Sequence, residues 1–431
     1  MNPSHWRSAR DPSQAKRYPG AIDLTHRPHT QGTILNWYLL GQASWFVSLG
    51  LQFVLFPHLV ANILHAAPFW VGFAQMSLSA PAILFMLLGG ATADRGDPRT
   101  ILFRTHLFAA VPPLVLAQAL GADLLSFWLL VIYGLFMGTT SAFAMPARDA
   151  SLNLVAAGNI QKTVTLAMAV QQCAQLLGMM VALSAAAFGV PLLFATQSLI
   201  MLIGGLASRQ LPKKQAAPLD HPPRLQAMTE GIAYIRRSDT LFPVVVAMFA
   251  VGVFFIGAFL VILPLLVRDF YQGGVVELGI ANICFWGGTI TSTVTLLRIG
   301  HVARRGRAVM CSLSAGVTIV VCFSFAMPFW LFCGLSFVWG LGAGCTMTLA
   351  RTIVQTEAAE TLRGRALAIF QLGFAGGAPL GSLLMGTLAG FFGTHTAMLF
   401  PAFGMTGVLA WLMLKSNLWH LRATHPVGAS S

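Results

Sequence analysis

Charged side chains are the scarce ingredient of this chain. Only 9% of its 431 residues are Asp, Glu, Lys or Arg, whereas 56% are hydrophobic. A soluble domain carries about 25% charged residues, so this composition excludes an ordinary water-soluble globule and points to a chain embedded in lipid. Acids are scarcer than bases, 13 against 26, for a net charge of +13. The basic residues are scattered through short loops and form no single patch, which argues against nucleic-acid binding and is what the positive-inside rule produces at a membrane. Cysteine is sparse too. Cys173, Cys284, Cys311, Cys322, Cys333 and Cys345 all fall in apolar stretches and none forms a C-x-x-C pair, so they are read as small core residues, with no disulfide or metal role expected. The first 31 residues are polar and contain no apolar run of the signal-peptide kind; they are expected to form a disordered cytoplasmic tail.

The charge-free intervals carry the architecture. Interval 28–93 fits two helices split near His65-Ala66-Ala67-Pro68, and 105–122 and 124–147 fit one each around Asp123. Interval 163–208 fits two, split at Gly189-Val190-Pro191; 240–267 and 278–297 fit one each; 308–350 fits two, split near Pro328; 366–414 fits two, split near Gly393. A helix needs ~20 residues to cross the bilayer core. The reading is an all-α membrane protein of twelve transmembrane helices: a six-helix half over 32–208, a second over 240–415, and tails at 1–31 and 416–431. The segment 209–239 joins the halves. Its first part is a polar linker, and its second, Arg224 to Arg237, puts Leu225, Met228, Ile232 and Ile235 on one face of an amphipathic surface helix, expected to have no site role. With both termini inside, 25 of the 26 basic residues fall on the cytoplasmic side and Arg268 alone lies outside. This predicts a multi-pass inner-membrane protein with cytoplasmic termini.

One short stretch, Gly89-Gly90-Ala91-Thr92-Ala93-Asp94-Arg95-Gly96-Asp97-Pro98-Arg99, brings at Asp94 the first charge after 66 residues without one. It resembles the loop between the second and third helices of major facilitator superfamily transporters, G-x-x-x-D-R-x-G-R-R/K. Gly90, Asp94, Arg95 and Arg99 fall on the pattern, while Asp97 and Pro98 replace a Gly and an Arg. A weak repeat supports two related halves: Ala147-Arg148 recurs as Ala350-Arg351, and Gly300-His301-Val302-Ala303-Arg304-Arg305-Gly306-Arg307 echoes the loop, with Arg304 at the acid's place. The strings Pro146-Ala147-Arg148-Asp149-Ala150, Thr229-Glu230-Gly231-Ile232-Ala233-Tyr234-Ile235-Arg236-Arg237, and Gln355-Thr356 with Leu362-Arg363-Gly364-Arg365 are similar to the enterobactin-exporter and macrolide-efflux branch. The resemblance implies a major facilitator fold and a gate in which Asp94 meets a basic residue at the end of the fourth helix, Arg148, and the start of the eleventh, Gly364-Arg365.

No acid or base falls mid-span, so the embedded polar groups are amides: Gln42, Gln52, Gln75, Gln171, Gln172, Gln175, Asn282 and Gln371. In lipid each would leave donors unpaired, so each should face the bundle interior, as cavity lining or as interhelical glue. Gln42, Gln171, Gln175, Asn282 and Gln371, with Trp45, Phe255, Trp286 and Trp339 as aromatic walls, are the candidate substrate site, suited to a polar but weakly charged ligand. The exporter resemblance implies proton coupling, for which His58 and His106 are the embedded titrating candidates. The expected function is export of a small siderophore- or antibiotic-type molecule by alternating access, without a cofactor and as a monomer whose partners are the substrate and the bilayer. An uptake permease, a non-transporting sensor and a membrane enzyme are the alternatives. An enzyme would want an acid–base cluster at one depth, and none is present.

Overall fold

A chain in hydrocarbon must satisfy every backbone N–H and C=O internally, and an apolar run of helical length does so without partners. In the computed structural model, residues 28–156, 160–213, 224–300, 302–360 and 362–421 are described; most of the expected N-terminal tail, much of the polar linker and the chain beyond 421 lie outside them. Twelve helices are long and apolar enough to cross a membrane. They are α1 (Gly32–Ile63), α2 (Pro68–Arg95), α3 (Pro98–Gly121), α4 (Phe127–Val155), α5 (Ile160–Phe188), α6 (Val190–Ser208), α7 (Leu241–Asp269), α8 (Val275–Ile299), α9 (Arg305–Cys322), α10 (Phe329–Glu357), α11 (Arg363–Phe392) and α12 (Thr394–Lys415).

The breaks follow local chemistry. Pro68 and Pro98 occupy the first turn of α2 and α3, where a missing N–H costs nothing. Ser126 caps α4 by accepting from the Leu129 N–H, and Glu277 caps α8 by accepting from the Gly274 N–H at 2.7 Å. Gly189 and Gly393 turn the chain at φ 81° and 79°, a backbone region open chiefly to glycine. Two helices run deeper than their charges suggest. α3 contains Arg99 and Arg104, and α4 continues past Arg148 and Asp149 to Val155. Arg148, expected at a helix end, is therefore two turns inside.

In the first half α1 packs on α5 and α6, α2 on α4, and α3 on α4 and α6; in the second α8 packs on α10, α9 on α10 and α12, and α7 on α11. The halves meet along α2–α11, α5–α8 and α1–α8. Small residues set the closeness of these seams. A Cβ at Gly72 would strike the Ser382 carbonyl, one at Gly386 would lie 2.7 Å from the Pro68 oxygen, and one at Gly279 would strike Leu183. All three lie toward the charge-poor end, where the α1–α2 and α7–α8 turns sit. There α1 ends in a π-helical turn, Leu59–Ile63, whose wider hydrogen-bond spacing frees backbone groups for other partners. Arg268 uses them: its Nη1 donates to the Ala66 and Ala61 oxygens at 2.8 and 3.3 Å, and the Asn62 amide donates back to the Gly273 oxygen at 2.8 Å. Tyr271, in the same turn, donates to the Met327 oxygen at 3.1 Å. At the charge-rich end the first half has its own apolar cluster, including Tyr38, Leu102, Ala147 and Val155, that no residue beyond 211 joins. The halves converge at the charge-poor end, and among the described residues this cluster at the other end draws on the first half alone.

The linker helix, Arg224–Arg236, is more than a spacer. Glu230 accepts from the Arg365 Nη1 at 2.6 Å, and the Tyr234 hydroxyl accepts from the Ala359 N–H at 3.0 Å. It clamps the start of α11 and the turn before it. The expected positions of Leu225 and Met228 fall on side chains outside the described set.

Candidate functional site

Between the halves lies a cavity of about 170 Å³, walled by α1 (Leu49, Gln52, Phe53), α2 (Gln75, Leu78, Ser79), α7 (Phe259, Leu260, Pro264) and α8 (Asn282). At 1.5 Å rise per residue, Gln52 and Phe259 lie about 15 Å below the charge-poor end of their helices and Gln75 and Asn282 about 10 Å below. This is the half of the helical bundle nearer the charge-poor end. A second cavity of about 110 Å³ shares Leu49, Gln52 and Leu78 and extends toward Trp45, Met137, Ser141 and Met201, so the two adjoin.

Three amides converge on the first cavity with hydrogen-bonding capacity to spare. Asn282 donates its Nδ2 to the Leu278 oxygen at 2.9 Å, leaving its Oδ1 free to accept. Gln52 accepts from the Tyr133 hydroxyl at 3.2 Å and keeps its Nε2. That hydroxyl accepts from Gln197, which also donates to the Ser48 hydroxyl at 2.9 Å; this chain fixes the Gln52 side chain. Gln75 is 4% exposed, and its side-chain amide has no protein partner among the described residues. Its amide faces the cavity space, where a ligand offering donors and acceptors can pair with it. Apolar wall comes from Phe53, whose ring lies 5.6 Å from Trp286 across the seam, and from Phe259, 4.3 Å from Phe285.

The expected site residues divide. Asn282 lines the cavity, and Trp286 backs it through Phe53, with its indole N–H buried and unpartnered. Trp45 lines the second chamber. Gln42 does not fit the expectation: it donates to the Ala167 oxygen at 3.2 Å and accepts from Tyr38, tying α1 to α5. Gln175 lies in that same α1–α5 seam, where its backbone oxygen meets the position of a Cβ on Gly50 and its side-chain Nε2 is buried without a partner, and neither Gln171, Gln175 nor Gln371 lines either of these two cavities. Phe255 and Trp339 are buried in an aromatic core with each other and with Phe259, Phe285 and Phe323, so they support the wall from behind. Gln52 and Gln75 carry the position expected of Gln171 and Gln175. Their signal in the sequence was helical spacing: Gln52 lies seven residues after Trp45, and Ser79 four after Gln75, each on a shared face.

The gate residues are not assembled in this conformation. Asp94 and Arg95 are exposed and Arg99 is half-buried. Arg148 is 6% exposed, beneath the rings of Trp45 and Phe46 at 5.1 and 4.9 Å, and makes no salt bridge to Asp94. Arg365 pairs with Glu230 instead. The α2–α4 approach is tight at Gly89, where a Cβ would strike the Ala142 carbonyl. His106 is 1% exposed; its Nδ1 lies 2.8 Å from the Leu102 oxygen, its Nε2 3.3 Å from the Gly41 oxygen, and its ring meets Trp45 edge-on at 5.2 Å. His58 is half-buried beside Asn62, its Nδ1 without a partner.

Residues 37–427 match the family described as "transmembrane secretion effector". Among solved structures the chain is similar to the nucleoside transporter NupG, at 14% identity and TM-score 0.72, covering 89% of this chain and 98% of that one. It is also similar to a bacterial homolog of the human lysosomal transporter Spinster in an inward-facing, unoccupied conformation, at 13% identity and TM-score 0.65, covering 91% and 97%. At these identities the likeness shows the fold, that of major facilitator transporters. No curated protein sequence matches the chain.

Proposed function

The chain belongs to the transmembrane secretion effector family, and from that premise we propose that it is a secondary exporter carrying a small, polar, amphipathic molecule of siderophore or antibiotic type from cytoplasm to periplasm by alternating access. The observation that carries the reading is the set of under-used amides, Gln52, Gln75 and Asn282, contributed by both halves to one cavity. A site split across the moving seam binds in both conformations and is uncovered to one face at a time. Amides donate and accept without demanding one ionisation state of the ligand, which suits hydroxamate, catechol or macrolide groups and the enterobactin-exporter resemblance.

With the charge-rich face cytoplasmic, this is the inward-facing conformation, latched outside by Arg268 and Asn62. Opening outward breaks that latch and brings Asp94 to Arg148 and the start of α11. His106 is the stronger proton-coupling candidate. Both of its ring nitrogens face carbonyl oxygens, and only the protonated ring donates to both.

Uptake of a neutral solute such as a nucleoside is the second reading, favoured by the same uncharged amides. Direction is tested in vesicles: an exporter accumulates cargo in everted vesicles on acidification of the lumen, and an uptake permease accumulates it in right-side-out vesicles on acidification of the exterior. In an iron-starved deletion strain, siderophore secretion should fall and recover with the intact gene but not with Gln75→Ala/Asn282→Ala. Normal secretion together with unchanged antibiotic sensitivity refutes both cargo types.

A further inference from the structure

Arg148 is a buried charge with no hydrogen-bond or salt-bridge partner among the described residues. Its side chain is 6% exposed, two turns inside α4, and its guanidinium makes no hydrogen bond and no salt bridge; Nη2 is fully buried without a partner. Burying an ion away from water is tolerated when a counter-charge or hydrogen bonds compensate. Here the compensation is the pair of rings, Trp45 and Phe46. Aromatic faces attract a cation, but the five N–H donors of a guanidinium lie in its plane, around the rim, and ring faces do not serve them.

No described acid is placed to do so. Asp149 is in electrostatic range of Arg148 and of Arg351, but it is the next residue on the same helix, and adjacent helical side chains do not face each other. Asp94 is exposed on α2 and forms no salt bridge with Arg148. Tyr38 is near, but its hydroxyl donates to Gln42. His106 is the other titratable group in range, from α3, and supplies no negative charge. The position is close to the cavities: the indole of Trp45, stacked on Arg148, is also a wall of the second chamber, which shares Leu49, Gln52 and Leu78 with the amide cavity.

We propose that Arg148 is an anion subsite that takes the carboxylate of an organic acid entering from the charge-rich face. A planar guanidinium binds a carboxylate through two parallel hydrogen bonds, which an ammonium cannot reproduce. The flanking indole and phenyl rings suit a weakly hydrated carboxylate with an apolar body better than a strongly hydrated phosphate. The subsite deepens the export reading, on which it rests for its place in a transport path: the cargo carries one carboxylate on an otherwise neutral hydrogen-bonding body. It also gives release a cause. Closure brings Asp94 to the same guanidinium, and the two carboxylates compete for one partner.

The test is direct binding to purified full-length protein in nanodiscs, with benzoate as probe and Trp fluorescence and thermal shift as readouts; benzamide is the neutral isostere and inorganic phosphate the hydrated anion. Benzoate should bind saturably and benzamide and phosphate should not. Arg148→Gln and Arg148→Lys should each weaken benzoate by about tenfold or more, the loss of a charge-assisted bidentate contact. If Arg148→Gln does not fold, Arg148→Lys, which keeps the charge, carries the test. Equal binding of benzoate and benzamide, no benzoate binding to the native protein, or native affinity in Arg148→Lys overturns the subsite. Because binding is read without transport, loss of export with benzoate binding intact would count against the export reading and leave the subsite standing.

Discussion

Arg268→Gln should weaken the closure of the charge-poor face. The native guanidinium joins the end of α7 to the α1–α2 turn by one strong bond to the Ala66 oxygen at 2.8 Å and a longer one to Ala61 at 3.3 Å. Its contact with the adjacent Asp269 is made within one turn and survives in any conformation, so it does not count. A hydrogen bond from a charged donor contributes ~1.5 kcal/mol or more when well formed. The arginine side chain is 18% exposed, so water competes for part of it. The net effect is roughly 1–2 kcal/mol between the two conformations, which is ~5- to 30-fold in their ratio. Asn62→Ala, removing the return bond to Gly273, adds about 1 kcal/mol. The assay is electron–electron distance measurement in nanodiscs, with spin labels on Leu124→Cys and Phe325→Cys. These are exposed positions at the charge-poor ends of opposite halves; the exposed native Cys173 and Cys311 are replaced by Ser beforehand. A longer-distance population should grow in Arg268→Gln and further in the double variant. Unchanged distributions in both would refute the latch.

Gly72→Val should lower the melting temperature and open the same face, because its side chain collides with the Ser382 backbone; overpacking of this kind costs ~1–3 kcal/mol, and a melting temperature within error of native would show that the α2–α11 seam yields freely. Glu230→Ala should cost no more than ~1 kcal/mol, since its pair with Arg365 is half-exposed, and the loss should vanish in high salt. Burial pushes the Tyr271 hydroxyl up to about 12 from its ordinary 10. The unfolded chain therefore ionises first, and the tyrosine's contribution to stability is lost as pH rises from 10 toward 12; Tyr271→Phe should flatten that alkaline decline, checked by thermal shift across pH.

The twelve helices were legible because their cause is local. A run of about 20 residues without charge has few alternatives in lipid, and the turn at Gly189-Val190-Pro191, the break before Pro328 and the turn at Gly393 are written in residue type. The candidate site was legible only as a class. Amides in apolar helices must point inward, and Gln42 and Gln75 are among those visible, but whether one lines a cavity or ties two helices depends on what stands opposite. Gln42 and Gln75 look alike in the sequence; Gln42 finds the Ala167 carbonyl on α5 and Gln75 finds none.

Tertiary structure also decided the charges. Arg148 was placed at a helix end because the charge-free interval stops at residue 147, yet α4 carries it and Asp149 onward to Val155 and the packing of α1 covers the arginine with Trp45 and Phe46. Arg268, alone on its face, was evidence for orientation and became a latch once α7 met the α1–α2 turn. Helix formation and the count of twelve spans follow from hydrogen bonds within a segment and from each segment's preference for lipid or water, and the sequence determines these unaided. Which amides converge, which arginine is buried and which face is shut are set by pairings between residues tens to hundreds of positions apart, and those exist only when the helices are packed.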